Sequence, residues 1–145
     1  METIDKLHIA DEMLDAAIAE FLDYERYFAS FNLAGVAEEI YGNFAKFCGQ
    51  SNILKETIDL ARFIGNSDGG PELSNKEWRD IAIFDKNKIK HLDSLEDQYV
   101  TVDPRESARL MIADAISNHI KLKRDFSANM HRFYDFAYQW AKRNS

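Results

Sequence analysis

The stretch DPRESARLMIADAISNHIKL, residues 103–122, decides the fold class, because both its start and its interior are typical of an α-helix. Asp103 is suited to cap the helix, Pro104 to occupy its first position, and Glu106 to lie in its first turn. Apolar residues then recur every three or four positions, which is the spacing of one helix face. The sequence therefore predicts a helix from Asp103 to about Leu122.

The same apolar spacing continues over almost the whole chain and predicts five more helices, at about 4–25, 28–48, 52–64, 74–92 and 125–142. Ser74 and Glu77 form a capping box at the start of one helix, and Gly49 is a C-cap after another. Gly-Gly-Pro within 66–73 predicts a loop. With 145 residues, these features predict one domain, residues 1–145, with an all-α, antiparallel up-and-down helical bundle fold. Four main helices and one or two short or flanking helices are expected.

Composition and charge narrow the classes of function. Apolar residues make up 46 % of the chain, yet no run approaches the eighteen or so needed to cross a bilayer. The acidic first turns are unlike a signal peptide, so we expect a cytoplasmic protein without membrane contact. The net charge of −7 argues against broad binding to polyanions but leaves a small local site open. The single Cys48 excludes an internal disulfide and any multi-cysteine metal site.

Three helix faces carry expectations about burial and exposure. The acidic side of the first helix is expected to form a solvated face, with Asp11, Asp15, Glu20 and Asp23. The second helix is expected to bury an apolar set, with Leu33, Val36, Ala37, Ile40, Phe44 and Phe47. The aromatic side of the last helix is typical of a core or a subunit contact, with Phe126, Phe133, Tyr134 and Trp140. His119 lies among apolar neighbours and is expected to be partly buried and hydrogen-bonded.

Residues 74–92 contain the candidate catalytic groups. On a continuous helix one stripe would carry residues at steps of four, three and four, namely Asp80, Phe84, Asn87 and His91. Lysines at 86, 88 and 90 surround this stripe, and His91 is expected to titrate near neutrality, as a general acid–base catalyst requires. The alternative interpretation is a solvated helix end whose lysines complement the helix dipole.

Glu39 is a second candidate, because glycines at 35 and 42 share its helix face. Glycine inside a helix is destabilising, so close packing that partly encloses Glu39 is one interpretation, with the acid orienting His91 or binding a cation. The alternative is tight packing with the acid at the rim. A ferritin-like di-metal site would need Glu-x-x-His on two helices, and no histidine here has glutamate three residues before it. We therefore expect no metal.

Three segments carry a family resemblance: LAGVAEEIYG (33–42), KNKIKH (86–91) and VTVDPRESARLMIADAISN (100–118). Together they resemble the HEPN-like helical proteins of bacteria and archaea, over roughly residues 7–122. The resemblance implies a helical bundle that is usually dimeric and needs no cofactor. Active members are metal-independent ribonucleases whose motif is an arginine, four to six residues, and a histidine.

Matched to that motif, Lys86 stands at the arginine, Asn87 at the adjoining polar position, and His91 at the histidine. The resemblance implies that His91 acts as acid–base when an RNA 2′-hydroxyl attacks its phosphodiester. Lys86 would stabilise the phosphoryl charge and Asn87 would position the phosphate, with Glu39 and Asp80 as supporting residues. Lysine offers a point charge where arginine offers a bidentate fork, so weak activity or none is expected.

Two classes of function therefore remain open. One is a homodimeric protein that cleaves or binds RNA with weakened activity, of the toxin or defence type, with RNA and a cognate antitoxin or partner protein as its partners. The other is a non-catalytic helical module that binds a ligand or another protein. In both, the subunit contact is expected at the aromatic last helix and the glycine-bearing second helix.

Overall fold

The helix predicted from residue 103 spans Pro104–Lys121 in a computed structural model of the protein, which describes residues 1–67, 69–70 and 72–145. The side chains of Phe84 and Asp85, and with them the place of Phe84 in the predicted stripe, lie outside the described residues. So do Asp68 and Pro71 of the predicted loop. The all-α helical bundle is confirmed, since the described residues form α-helices, one short 3₁₀ helix and no strand.

The α-helices are α1 (Lys6–Leu22), α2 (Tyr27–Phe47), α3 (Ile53–Ser67), α4 (Asn75–Ala82), α5 (Phe84–Lys90), α6 (Pro104–Lys121) and α7 (Ala128–Arg143). The 3₁₀ helix is Leu95–Gln98. Contacts group the chain into two compact units, one of residues 1–50 and 104–145 and one of residues 51–103. The first unit holds α1, α2, α6 and α7, and the second holds α3, α4 and α5. The single domain expected from the sequence stays a prediction.

In the first unit α1 and α2 run antiparallel. The Tyr41 hydroxyl on α2 donates to Asp11 near the start of α1 at 2.6 Å, and Ser30, earlier on α2, donates to the Ala17 carbonyl at 2.8 Å. A tight C-cap ends α2: the Gly49 amide donates to the Lys46 carbonyl and the next amide reaches back to Ala45. Gly49 adopts a φ of +76°, which confirms the predicted cap.

The directions of α6 and α7 follow from contacts with the other helices. The α7 segment runs parallel to α1, because the contacts between them follow the same order along both: Ser127 contacts Asp15, and Arg132 contacts Asp23. Arg109 near the start of α6 stacks on Trp140 near the end of α7, so those two helices run antiparallel. The helices α1, α2, α6 and α7 therefore run up, down, down and up. This refines the up-and-down order expected from the sequence, with residues 51–103 as a long connection.

The acidic side of α1 is the face on which the α6–α7 connection and α7 dock. Arg124 pairs bidentately with Asp11 at 2.7 and 2.5 Å, and Arg132 pairs with Asp23 at 2.5 Å. The Ser127 hydroxyl, which also caps α7, donates to Asp15 at 2.6 Å. The expected solvated face is therefore wrong for Asp11 and Asp15, which are half-buried against other parts of the fold, whereas Asp23 is exposed as expected although it is paired.

Short side chains dominate the interior of the first unit. Its fully buried apolar residues include seven alanines, namely Ala10, Ala17, Ala34, Ala37, Ala45, Ala108 and Ala115. Alanine side chains allow helices to approach closely, and α2 accordingly packs most extensively on α6 and α1. Phe21 is the centre of an aromatic cluster, with ring contacts to Tyr27, Phe133 and Phe136 at centroid distances of 5.2–5.9 Å.

A buried polar cluster lies beside this core. His119 is 1 % exposed and packs edge-on against the Tyr41 ring at 5.2 Å. Its Nδ1 has no hydrogen-bond partner among the described residues, so the hydrogen bond expected for this side chain is missing at Nδ1. Burial lowers the pKa of His119, the charge of Arg124 lowers it further, and Asp11 opposes both. His119 is therefore held neutral inside the bundle.

The predicted helix over 74–92 is wrong as a single element. Ile83, with φ −102° and ψ 7°, separates α4 from α5, and His91 follows α5 in an extended conformation. The capping box at Ser74 and Glu77 is confirmed at the start of α4. Neither glycine nor proline marks the break, and apolar residues continue across it, so helix periodicity alone does not reveal it.

The second unit contains a helical hairpin with little interior. Gly65 of α3 lies against the Trp78 ring of α4, so closely that an added Cβ would stand 3.0 Å from a ring carbon. Arg62 donates a hydrogen bond to the Asn75 side chain. None of the described residues of α3 or α4 is buried. Among the described residues, one close approach and one side-chain hydrogen bond therefore join α3 to α4.

We expect Gly49→Ala to lower the free energy of unfolding by about 1 kcal/mol, because alanine is strained at a φ of +76°. The space beside Gly49 is open, so a steric clash contributes nothing to this loss. Urea denaturation measures it. Gly49→Asn is the matched control, since asparagine tolerates this conformation and should lose less. Equal stability of the alanine variant and the unmodified protein would contradict the assigned cap.

We expect stability to fall as the pH drops below about 6.5, where an unfolded histidine takes up a proton. The folded pKa of His119 is depressed, so its contribution is complete above the unfolded value and is lost on acidification. Thermal unfolding at pH 7 and pH 5 tests this. His119→Gln should flatten the pH dependence, and His8→Gln at an exposed position should leave it unchanged. Identical pH dependence in all three proteins would count against a buried neutral His119.

Candidate functional site

Two of the predicted catalytic residues, Asn87 and His91, line one open cleft of about 690 Å³ in the second unit. Both side chains are exposed. The remaining lining residues are Lys88, Asp93, Glu96, Asp97, Tyr99, Val100 and Thr101. The structure therefore brings together the histidine and the asparagine of the predicted site.

The local fold explains how these residues come to share the cleft. The His91 amide donates to the Asn87 carbonyl at 3.1 Å, which ends α5. The extended backbone of His91 then redirects the chain towards a second capping box, in which Ser94 and Asp97 start the 3₁₀ helix. The cleft thus lies between the end of α5 and the segment that follows, not on one continuous helix face.

Lys86 is not among the residues that line the cleft. Its side chain is half-buried, and the lysine that lines the cleft is Lys88. His91 lies beyond the end of α5 in an extended conformation, so the two residues do not share a helix face. The predicted group of Lys86, Asn87 and His91 around one anion is thus assembled only for Asn87 and His91.

The charge of the cleft is unfavourable for a phosphate. Three carboxylates line it, from Asp93, Glu96 and Asp97, against the single ammonium group of Lys88. A nucleic-acid backbone is bound mainly through cationic side chains, and like charges in a cleft repel it. The lining therefore suits a cationic or neutral group better than an RNA phosphodiester.

The two supporting residues lie elsewhere. Asp80 is exposed on α4, and the break at Ile83 separates it from α5. Glu39 belongs to the first unit and is exposed, while Gly35 and Gly42 on its helix face are buried. The interpretation that encloses its carboxylate is therefore wrong, and the alternative, close packing with the acid at the rim, agrees with the structure. The neighbouring Glu38 faces α6 instead, since Asn118 donates to its carbonyl and its carboxylate at 3.1 and 3.2 Å.

Glu39 instead borders an apolar groove of about 400 Å³ at the end of α2 and the start of α1. Its lining residues are Asp5, Lys6, Leu7, Val36, Glu39, Ile40, Asn43, Phe44 and Phe47. Val36, Phe44 and Phe47 were expected in the core but are 40, 41 and 86 % exposed. Apolar spacing placed them correctly on one face, but it does not say whether another helix covers that face.

Sequence reasoning also missed the acids of the cleft. Asp93, Glu96 and Asp97 follow α5 in a polar connector, and the pattern Ser94-x-x-Asp97 is the signal that marks a local turn there. No three His, Cys, Asp or Glu side chains converge as a metal site requires in the part of the chain that the structure describes. Across the same residues, no helix is both long and apolar enough to span a bilayer.

Comparisons with known proteins add no relative: no family model, curated protein or solved structure matches this chain. The resemblance to HEPN-like proteins therefore continues to depend on the three sequence segments alone.

Proposed function

We propose that this protein is a non-catalytic interaction module of the HEPN-like kind, which forms a homodimer through the apolar face of α3 and not through the second and last helices expected from the sequence. The observation that carries the proposal is the exposure of that face. Leu60, Phe63 and Ile64 are 60, 70 and 50 % exposed, although α3 has a strongly amphipathic sequence. Exposed apolar patches of this kind typically mark protein interfaces.

The two sides of α3 differ in their contacts. The side with Ile58, Ala61 and Gly65 is half-buried, and Gly65 lies against Trp78 of α4. Leu60, Phe63 and Ile64 lie on adjacent turns, spaced by three and four residues, so they form a continuous apolar stripe. Such a stripe on one helix matches the same stripe on a second copy under twofold symmetry, as in a short coiled-coil seam.

The cleft supports the non-catalytic part of the proposal. A ribonuclease of the resembled type needs net positive charge beside its histidine, whereas the three carboxylates that line the cleft of His91 outnumber the ammonium group of Lys88. Lysine in place of the family's arginine weakens the same site further. An interaction module needs neither a catalytic histidine nor a cation beside it, so the helical bundle can be retained without catalytic activity.

We expect sedimentation at micromolar concentration to show a dimer, and Leu60→Glu to shift it to a monomer, because a buried unpaired carboxylate opposes association. Leu95→Glu is the matched control, since Leu95 is 88 % exposed in the same unit but lies outside the α3 stripe. A monomer of 16.8 kDa for the unmodified chain contradicts the proposal. So does a dimer that both variants retain.

A metal-independent ribonuclease is the second candidate, and the observation in its favour is that Asn87 and His91 share one open cleft. In that function His91 is the acid–base for attack by the RNA 2′-hydroxyl, and Asn87 holds the phosphate. The cation then comes from Lys86 through its long flexible side chain, from Lys88, or from the second subunit.

Incubation with single-stranded RNA in EDTA separates the two candidates. We expect little or no cleavage by the unmodified protein, because the carboxylates of the cleft repel the phosphate. If cleavage occurs, Lys86→Arg should increase it and His91→Ala should abolish it, whereas His131→Ala at an exposed position should not. Cleavage that requires His91 would overturn the non-catalytic proposal, whatever the oligomeric state.

A further inference from the structure

A third concavity, of about 350 Å³, lies between the start of α6 and the end of α7 in the first unit. Phe136 and Trp140 contribute its aromatic surface, and Arg105 and Arg143 stand beside them with Asp135 and Gln139. Neither the cleft beside His91 nor the α3 stripe includes any of these residues. Its volume is at the lower end of the range typical of small-molecule sites, roughly 300–1,000 Å³.

The Trp140 ring is held in place by a neighbouring pair. Arg109 lies over the ring at 4.2 Å from its centroid, and Glu106 fixes the same guanidinium through two hydrogen bonds of 2.7 and 2.6 Å. This contact orders both the indole and the arginine, so the ring presents a preformed aromatic surface to the cavity.

The two arginines of the cavity differ from every arginine that stabilises the first unit. Arg26, Arg109, Arg124 and Arg132 are paired with carboxylates. The side chains of Arg105 and Arg143 make no hydrogen bond or ion pair with another described residue. Asp135 is the single acid among the described residues of the lining, so the side chains around the cavity carry one net positive charge, while the surface of the cavity itself is mostly apolar. A guanidinium that no carboxylate occupies is available to a phosphate or a carboxylate of a ligand, and it can bind either with two hydrogen bonds.

We propose that this cavity binds a small planar anion, namely an aromatic ring that carries a phosphate or a carboxylate. The ring lies against Phe136 and Trp140, because stacking on aromatic side chains stabilises bound aromatic rings such as nucleic-acid bases. The anionic group meets Arg105 and Arg143 at the rim. Neither part alone is sufficient: the aromatic surface holds the ring, and the arginines select rings that carry a negative charge.

Titration calorimetry on the full chain tests the proposal with four probes: adenosine monophosphate, 4-nitrobenzoate, adenosine and inorganic phosphate. We expect saturable binding of at least one of the first two, and at least tenfold weaker binding of adenosine and phosphate. Binding of the nucleotide alone identifies a phosphate-bearing ring as the ligand class, and binding of the benzoate alone identifies a carboxylate-bearing ring. Absence of saturable binding by both would overturn the proposal.

Variants locate the site. Arg105→Gln and Arg143→Gln should each weaken binding about tenfold, because each removes one charged contact. Arg79→Gln is the matched control, since Arg79 is an exposed arginine of the second unit. The Trp78→Phe variant leaves Trp140 as the only tryptophan, so bound ligand should quench its fluorescence with the same affinity. Equal binding by the three arginine variants would contradict the assigned site even if a ligand binds.

Discussion

The ion pair between Asp11 and Arg124 is the contact on which the arrangement of the first unit depends. Burial raises the pKa of Asp11, but the hydrogen bonds from Arg124 and Tyr41 outweigh it, so the pKa lies below its ordinary value. One carboxylate thus connects α1, α2 and the segment that leads into α7. Because Asp23 pairs with Arg132 further along the same edge, α7 is aligned parallel to α1. The acidic side chains of α1 thus determine the direction in which α7 packs against α1.

The directions of α2 and α6 determine what the connection between them has to span. Since α2 and α6 run the same way, residues 51–103 must return the chain from one end of the bundle to the other. This connection folds into its own hairpin and carries the cleft of Asn87 and His91. The first unit has a closely packed alanine-rich interior, whereas the described residues of the second unit bury no apolar side chain. Connections on a rigid scaffold commonly carry binding and catalytic residues, and residues 51–103 form such a connection.

The helices and their caps were predictable because local chemistry determines them: Ser74 with Glu77, Gly49, and the helix start at Pro104 all appear in the structure. The break at Ile83 was not predictable, since apolar spacing continues across it. The exposure of Phe47 was also missed, because apolar periodicity identifies a helix face but does not show whether another helix packs on it. For the candidate site, the proximity of Asn87 to His91 was correctly anticipated. The acids of the cleft were missed because they come from a connector outside the helix.

The parallel course of α2 and α6 has a consequence for shortening the protein. Asn118 contacts Glu38 and His119 contacts Tyr41, so the end of α2 and the start of α6 lie about 20 residues apart along the helix axis, roughly 30 Å. A tight turn cannot join those ends. A fully extended chain advances about 3.4 Å per residue, so about nine residues are the least that can span this gap. Any replacement for the second unit therefore needs at least about nine residues if α2 and α6 are to keep their parallel course.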